Sequence, residues 1–207
     1  MAEARAGTTP VLAVLLSGGG RTLSNLIERS RSGHLPARVG VVVSSVADAG
    51  GLEIARQSGI PAAAVIRKDF DSDQAYSDAI FREIEPYDPS LVILAGFLRK
   101  LAVPPRWEGR ILNIHPALLP EMAFASGRGF YGDRVHRAVL ESGQPVSGAT
   151  VHLVDNGYDT GMVFMRQTVP VEAGDTVESL AARVFAAECQ LYPRAIAAYL
   201  EELGVRS

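Results

Sequence analysis

Short apolar runs alternate with helical patterns over the first half of the chain. The runs are four to six residues long, carry many branched side chains and are separated by turn-forming residues. Runs of this kind are typical of strands that are buried on both faces of a sheet. Because most of them are followed by apolar residues at helical spacing, they predict a parallel sheet with right-handed crossovers. The predicted strands are Val11–Leu16, Val39–Val43, Ala62–Ile66, Leu91–Ala95 and the run that begins at Ile111.

The second half of the chain begins with a long connection, residues 121–133. Three glycines, Gly127, Gly129 and Gly132, lie there among aromatic residues. Connections of this length are usually functional or disordered, so a lid over a site is one interpretation. After the connection the pattern predicts a short helix, two strands and a closing helix with an apolar face. These elements are Val135–Ser142, Ser147–Leu153, Val163–Val171 and a helix whose face includes Leu180 and Leu200.

A glycine-rich turn, residues 17–22, joins the first strand to the first helix. Glycines let a backbone approach an anion closely, and the free N–H groups of a helix N-terminus point toward it. The turn is not a dinucleotide fingerprint, because Leu23 stands where the third glycine is needed, and no Walker A lysine follows. A tight turn without a ligand is the alternative. The candidate phosphate-binding residues are Gly18, Gly19, Gly20, Arg21 and Thr22.

The run that begins at Ile111 ends in two polar side chains and a proline. Asn113 and His115 are two residues apart, so in a strand they point to the same side. Pro116 ends the ladder because it has no N–H to donate. An amide and an imidazole would then meet at the carboxyl end of a strand, which is where open α/β sheets bind ligands. The same pattern also fits a core strand whose asparagine and histidine are simply hydrogen-bonded.

Composition narrows the classes of function. The 207 residues include 20 Lys and Arg against 23 Asp and Glu, a net charge of −3 that gives no basic field for nucleic acid. The single cysteine, Cys189, excludes an internal disulfide and fits a reducing, cytoplasmic compartment. No apolar run approaches the roughly 20 residues of a membrane span, so no membrane partner is expected. Residues 1–10 lack the long apolar core of a signal peptide, and we expect a short disordered lead.

Two motifs give the chain a resemblance to a known family. Residues 113–120 read Asn-Ile-His-Pro-Ala-Leu-Leu-Pro, and residues 159–161 read Asp-Thr-Gly. With these strings the chain resembles the folate-dependent formyltransferases from about Val11 to Tyr192. Smaller matching pieces include Ser17-Gly18, Ala47-Asp48-Ala49 and Leu94-Ala95-Gly96-Phe97. Within the family the chain is most similar to the members that formylate glycinamide ribonucleotide in purine synthesis.

The resemblance implies a fold and a reaction. The implied fold is a single three-layer α/β domain over residues 11–207, with a mostly parallel, Rossmann-like twisted sheet of about seven strands. The implied reaction transfers the formyl group of the co-substrate 10-formyltetrahydrofolate to the amine of glycinamide ribonucleotide in de novo purine (IMP) biosynthesis. Formylglycinamide ribonucleotide and tetrahydrofolate are the products. Small molecules are the expected partners of a monomer or homodimer, and no metal is expected.

The resemblance also assigns catalytic roles. In the family the substrate amine attacks the formyl carbon, and negative charge develops on the formyl oxygen. Asn113 can donate its amide N–H to that oxygen. His115, with an ordinary pKa of about 6.5, can stabilise the charge as imidazolium and exchange protons. Asp159 matches the carboxylate that raises the histidine pKa and holds a proton-shuttling water, although an Asp before a Gly is also common in plain turns.

Binding residues follow from the same resemblance. The glycine-rich turn matches the site for the ribonucleotide phosphate, and Glu188 matches a residue that holds the ribose or the amine. Arg99 is the candidate for the glutamate tail of the folate. The substrate-binding set is Gly18, Gly19, Gly20, Arg21, Thr22, Gly96 and Glu188, and the folate-binding set is Leu98, Arg99, Lys100, Leu101, Asn113, Val154, Asp155, Tyr158 and Asp159.

The chain departs from the family pattern at several positions. Relatives often carry Ser and Asn at the positions of Arg21 and Thr22, so Arg21 could add a phosphate contact or simply be solvated. Met162 replaces a usual proline, and Asp73 stands where some relatives have a basic residue. Arg67 or Lys68 could serve the folate tail instead. His152 matches a family histidine near the site, yet it is also typical of a hydrogen-bonded core residue, and His34 and His136 are interpreted as structural.

Four other functions remain open at the level of sequence. A formyltetrahydrofolate hydrolase would use water as the acceptor, but such relatives usually carry an extra N-terminal regulatory domain, for which we expect no room before Val11. A methionyl-tRNA formyltransferase would usually add a C-terminal domain and a basic surface, and another small amine could also be the acceptor. A non-catalytic nucleotide-binding module would leave Asn113, His115 and Asp159 as a coincidence.

Overall fold

One mixed sheet runs through the computed structural model, which describes residues 9–205. Its strands are β1 (Val11–Leu16), β2 (Arg38–Ser44), β3 (Ala62–Ala64), β4 (Leu91–Leu94), β5 (Ile111–His115), β6 (Val146–Leu153) and β7 (Val163–Pro170). They lie side by side in the order β3-β2-β1-β4-β5-β6-β7. The first five strands in the chain pair with one another in parallel, whereas β6 pairs antiparallel with both β5 and β7.

Helices cover both faces of the sheet. Alternate residues of β1 show the division, since Leu12 and Val14 enter one apolar cluster while Ala13 and Leu15 enter the other. The helices are α1 (Arg21–Arg31), α2 (Gly50–Gln57), α3 (Asp73–Ile84), α4 (Asp133–Glu141) and α5 (Val177–Glu202). Helices α1, α2, α4 and α5 pack on the first face, and α3 packs on the second together with Trp107.

Helix α5 is fastened to the centre of the sheet by a buried tyrosine. The Tyr192 hydroxyl lies 3.0 Å from the carbonyl oxygen of Leu94 and 2.9 Å from that of Leu112, and so bridges β4 and β5. A capping box between Thr176 and Ser179 begins the helix. Within the stretch 9–205, no helix is long and apolar enough to cross a membrane.

The predicted fold class is confirmed, with small differences at element ends. The third strand was expected to reach Ile66 but ends at Ala64, because Val65 makes the last bond to β2 and a 3-10 turn follows at Arg67. The fourth strand ends one residue early, at Leu94, although Ala95 still bonds Leu15. Most of the expected disordered lead, residues 1–8, lies outside the described residues.

Candidate active site

The carboxyl ends of the central strands open into one large cavity of about 1030 Å³. Asn113 and His115 both line it from the end of β5, as their spacing in the strand predicts. His115 is only 4% exposed, whereas Asn113 is half-buried. The glycine-rich turn after β1 and the segment after β4 form other walls. The cavity therefore lies where parallel α/β sheets bind their ligands.

His115 is oriented by the long connection after β5. Its Nε2 lies 3.0 Å from the carbonyl oxygen of Ala125, and since a carbonyl can only accept, Nε2 carries the hydrogen. Nδ1 is therefore the nitrogen that titrates, and it faces Asp159 Oδ2 at 3.7 Å. Burial lowers the pKa of His115 below its usual value, and the Asp159 charge opposes this only in part.

Asp159 lies in the turn between β6 and β7 with a positive φ of 55°, a conformation that Asp tolerates better than most residues. Its Oδ2 accepts a hydrogen bond of 2.9 Å from the backbone N–H of Gly127. Burial opposes its ionisation, but the neighbouring His152 and His115 side chains and the Gly127 N–H hold the pKa of Asp159 below its usual value. Gly161 is required nearby, because a Cβ there would overlap the Leu153 carbonyl.

Asn113 is held by two partners. Its Nδ2 lies 3.1 Å from Nε2 of His152 and 3.4 Å from Oδ1 of Asp159. Because His152 donates through Nδ1 to the Leu153 carbonyl at 2.8 Å, its Nε2 is free to accept from the amide. Both N–H groups of Asn113 are therefore engaged. A ligand oxygen could replace the longer bond, the one to Asp159.

The glycine-rich turn presents open backbone to the cavity. No atom would lie within 4 Å of a Cβ added at Gly18 or Gly19, so a ligand can approach this backbone closely. Gly20 has a φ of 82° and lies against the backbone of Gly51 at the start of α2. A side chain at Gly20 would be strained and would also collide with α2. The sequence of the turn thus fixes its shape while leaving its outer side free.

The remaining wall comes from α5. Phe185 and Glu188, three residues apart on one helix face, both line the cavity. Burial raises the pKa of the Glu188 carboxyl to about 7, and the charge of Arg21 opposes part of that rise. Glu188 can thus change its charge close to neutral pH.

All the predicted site residues line this one cavity, although their roles are still predictions. Two of them, Leu98 and Tyr158, are large apolar side chains that are exposed at the cavity. The predicted residues brought together are Gly18, Gly19, Gly20, Arg21, Thr22, Gly96, Leu98, Arg99, Lys100, Leu101, Asn113, His115, Val154, Asp155, Tyr158, Asp159 and Glu188. Of the two alternatives for a folate tail, Arg67 also lines the cavity and is paired with Asp73 at 2.7 Å.

Most of the chain matches a known protein family. Residues 11–196 match the model of the formyl transferase family. This chain belongs to the formyl transferase family. The family predicted from the two sequence motifs is therefore confirmed.

Individual formyl transferases agree with this assignment. Phosphoribosylglycinamide formyltransferase of Escherichia coli is 40% identical over 187 residues, which are 89% of this chain and 84% of that protein. The solved structure of glycinamide ribonucleotide transformylase 1 from Symbiobacterium toebii superposes with a TM-score of 0.84 at 39% identity, covering 94% of this chain and 89% of the other. The trifunctional purine biosynthetic protein adenosine-3 of Gallus gallus is 40% identical over 89% of this chain, but the chain spans only 18% of its length.

Two histidines outside the predicted site set also line the cavity of this formyl transferase. His152 was not among the predicted site residues, yet its Nε2 contacts Asn113 and lies 3.5 Å from Asp159 Oδ1. A histidine in an apolar strand resembles a core residue in the sequence. The contact follows from the pairing of β5 with β6, which places His152 opposite Asn113. His136 was interpreted as structural but also lines the cavity, and its buried Nδ1 has no hydrogen-bond partner among residues 9–205.

The long connection of this formyl transferase contributes directly to the site. Ala125 orients His115, Gly127 binds Asp159, and residues 127–133 line the cavity. The sequence predicted a lid but could not indicate contacts made by backbone atoms. Within the described part of the chain, no cluster of three or more His, Cys, Asp or Glu residues could hold a metal ion.

Proposed function

We propose that this chain transfers the formyl group of 10-formyltetrahydrofolate to the amine of glycinamide ribonucleotide in purine biosynthesis. The observation that carries the proposal is the contact of Asn113, His115 and Asp159 in one cavity with an open glycine-rich turn. The relatives named for this reaction in Escherichia coli and Symbiobacterium toebii support it. The formyl-folate supplies the carbon, and the ribonucleotide supplies the nucleophile.

Asn113 would stabilise the transition state through its amide. As the amine attacks the formyl carbon, negative charge develops on the formyl oxygen, and a positioned amide donor stabilises that charge. The donor is the N–H that otherwise makes the 3.4 Å bond to Asp159. His152 keeps the second N–H and so fixes the plane of the amide. The geometry thereby favours the charged transition state over the neutral formyl group.

His115 and Asp159 would handle charge and protons. The pKa of His115 is below its usual value because the ring is buried, so the developing negative charge must help to make the ring cationic. The cation would form at Nδ1, beside the Asp159 carboxylate. The proton that the attacking nitrogen loses would pass through this pair, or a water between them, to the folate nitrogen as its bond to carbon breaks.

The cavity also suits the two substrates. Its volume of about 1030 Å³ extends from the glycine-rich turn to the segments around Leu98 and Tyr158. The phosphate would bind at the turn, the amine near Glu188, and the pterin between residues 98–101 and 154–159. Whether the chain acts as a monomer or a homodimer stays a prediction.

Absorbance of folate during turnover tests the proposed function. The protein is mixed with 10-formyltetrahydrofolate and either glycinamide ribonucleotide, another small amine or no acceptor. We expect tetrahydrofolate to form rapidly only with the ribonucleotide, together with an equal amount of formylated product. Equal consumption of formyl-folate without any acceptor would instead identify a hydrolase. No consumption with any acceptor would overturn the assignment.

A further inference from the structure

Arg21 is stacked on an aromatic ring at the mouth of the glycine-rich turn. The central carbon of its guanidinium lies 3.7 Å from the centroid of the Phe185 ring. Arg21 is the first residue of α1, Phe185 belongs to α5, and both line the cavity. This distance is well inside the range of a cation–π contact. The stacked pair therefore joins α1 to α5 beside the candidate phosphate site.

The charge of Arg21 has no carboxylate neutralising it directly. Among residues 9–205, no carboxylate oxygen makes an ion pair with its guanidinium within 4.0 Å. The charge of Arg21 acts on the Glu188 carboxyl, but burial raises the pKa of that carboxyl to about 7, so Glu188 is partly neutral near pH 7. The N-terminus of a helix is also an unfavourable place for a cation, because the helix dipole is positive there. An anion bound beside Arg21 would neutralise the guanidinium charge and would also interact favourably with the helix N-terminus.

We infer that Phe185 is a positioning residue that holds Arg21 ready to bind the phosphate of the substrate. The inference rests on the proposed function, since it takes the ribonucleotide as the ligand. A guanidinium that stacks on a ring covers one flat face and keeps the N–H groups on its edge free. Those edge donors match two oxygens of a phosphate group. The ring thus orients Arg21 without using the hydrogen bonds that the phosphate needs.

The alternative is that Arg21 merely rests on a convenient surface. An exposed arginine can pack its stem and its face on apolar groups without any ligand. The two possibilities differ in what the loss of the ring does. If Phe185 acts through Arg21, its removal matters only while Arg21 is present and only for ligands that carry a phosphate.

A double-mutant cycle tests this coupling. The KM for glycinamide ribonucleotide is measured at saturating formyl-folate for wild type, R21A, F185L, F185Y and R21A combined with F185L. We expect R21A to raise the KM roughly 10- to 100-fold, as for the loss of charge-assisted hydrogen bonds. F185L should raise it about 2- to 5-fold, as for an exposed cation–π contact, and F185Y should remain near wild type. In the R21A background, F185L should have no further effect, and kcat should change little.

The same acceptor without its phosphate, glycinamide riboside, is the matched control. R21A and F185L should leave its KM at the wild-type value, because neither residue then has an anion to bind. Additive effects of the two substitutions, or an equal loss with the riboside, would overturn the inference. If wild type shows no formyl transfer, the proposed function fails, and calorimetric binding of the ribonucleotide by the same variants tests the coupling separately. Melting temperatures equal to that of wild type show that the variants are folded. F185Y keeps an aromatic ring at position 185 and so tests whether the ring itself is what Arg21 needs.

Discussion

Nδ1 of His115 and Oδ2 of Asp159 lie 3.7 Å apart, and both side chains are largely withdrawn from water. The separation is too long for a direct hydrogen bond. It is short enough for the carboxylate to stabilise a charged imidazole, and a bridging water would complete the contact. Asp159 therefore opposes part of the lowering of the His115 pKa that burial causes, and it does so through space and only while it is ionised.

Asp159→Asn should lower the pKa of His115 further, because the imidazolium loses its carboxylate neighbour while the shape is kept. Activity should fall most at pH values where the wild-type ring is charged and the ring of the variant is not. An NMR titration of His115 and a pH profile of kcat measure the two effects. Asp155→Asn is the matched control for the titration, because Asp155 bonds Gly157 and Thr160 in the same turn. An unchanged His115 pKa in the Asp159 variant would contradict the coupling.

Asn113→Ala should lower kcat by roughly 100- to 1,000-fold, as for other lost oxyanion donors, with a milder effect on KM. Residues that act as a unit are not additive, so combining it with His115→Ala should cost less than the product of the two single losses. The measurement is kcat for both single variants and the double variant with both substrates saturating. Near-normal turnover in His115→Ala would leave the mechanism without its central residue.

Gly127→Ala should reduce kcat on the order of 10- to 100-fold, because a strained residue would shift the N–H that binds Asp159. Gly127 has a φ of 85°, which an alanine adopts only at a cost. Gly129 in the same connection has a φ of 95°, so Gly129→Ala imposes comparable strain while leaving the Asp159 contact intact. Equal losses of kcat in the two variants would show that general strain, and not the contact, explains the effect.

Glu188→Gln should remove a pH dependence of ribonucleotide binding. The carboxyl of Glu188 has a pKa of about 7, so its charge appears as the pH rises through that value. We expect the wild-type KM for the ribonucleotide to fall over that rise, because the carboxylate attracts the amine end of the substrate. The variant should keep a KM that is roughly 10-fold higher above neutral pH and nearly constant.

The control for Glu188 is Glu201→Gln, which removes an exposed carboxylate from the far end of the same helix. Its KM should follow the wild-type curve at every pH. A pH-dependent KM that survives in Glu188→Gln would assign the titration to another group.

The strands of the sheet could be predicted from the sequence because most of them are short apolar runs buried on both faces. The run Val11–Leu16 is buried along nearly its whole length, so periodicity and length identified it with no knowledge of its neighbours. The end of β3 was missed because Val65 and Ile66 are as apolar as a strand residue but turn away toward a 3-10 helix. Local pattern carries no information about where a neighbouring strand stops pairing.

The site was predictable as far as it depends on side chains in sequence motifs. Asn113 and His115 follow from a spacing of two, and Asp159 from the family motif. The contact of His152 with Asn113 could not be predicted, because it depends on the register between β5 and β6. The carbonyl of Ala125 and the N–H of Gly127 could not be predicted, since every residue offers such groups and only the path of the loop selects them.

The Tyr192 hydroxyl holds helix α5 in a fixed position relative to the central strands at the site. By donating to the carbonyl oxygens of Leu94 and Leu112, it links α5 to strands β4 and β5. Glu188 precedes Tyr192 by about one helical turn, and Asn113 directly follows Leu112. In the proposed reaction, the group that would meet the nucleophile and the group that would meet the formyl oxygen therefore belong to one hydrogen-bonded unit. The entropy of fixing these two groups relative to each other is lost when the protein folds, before either substrate arrives.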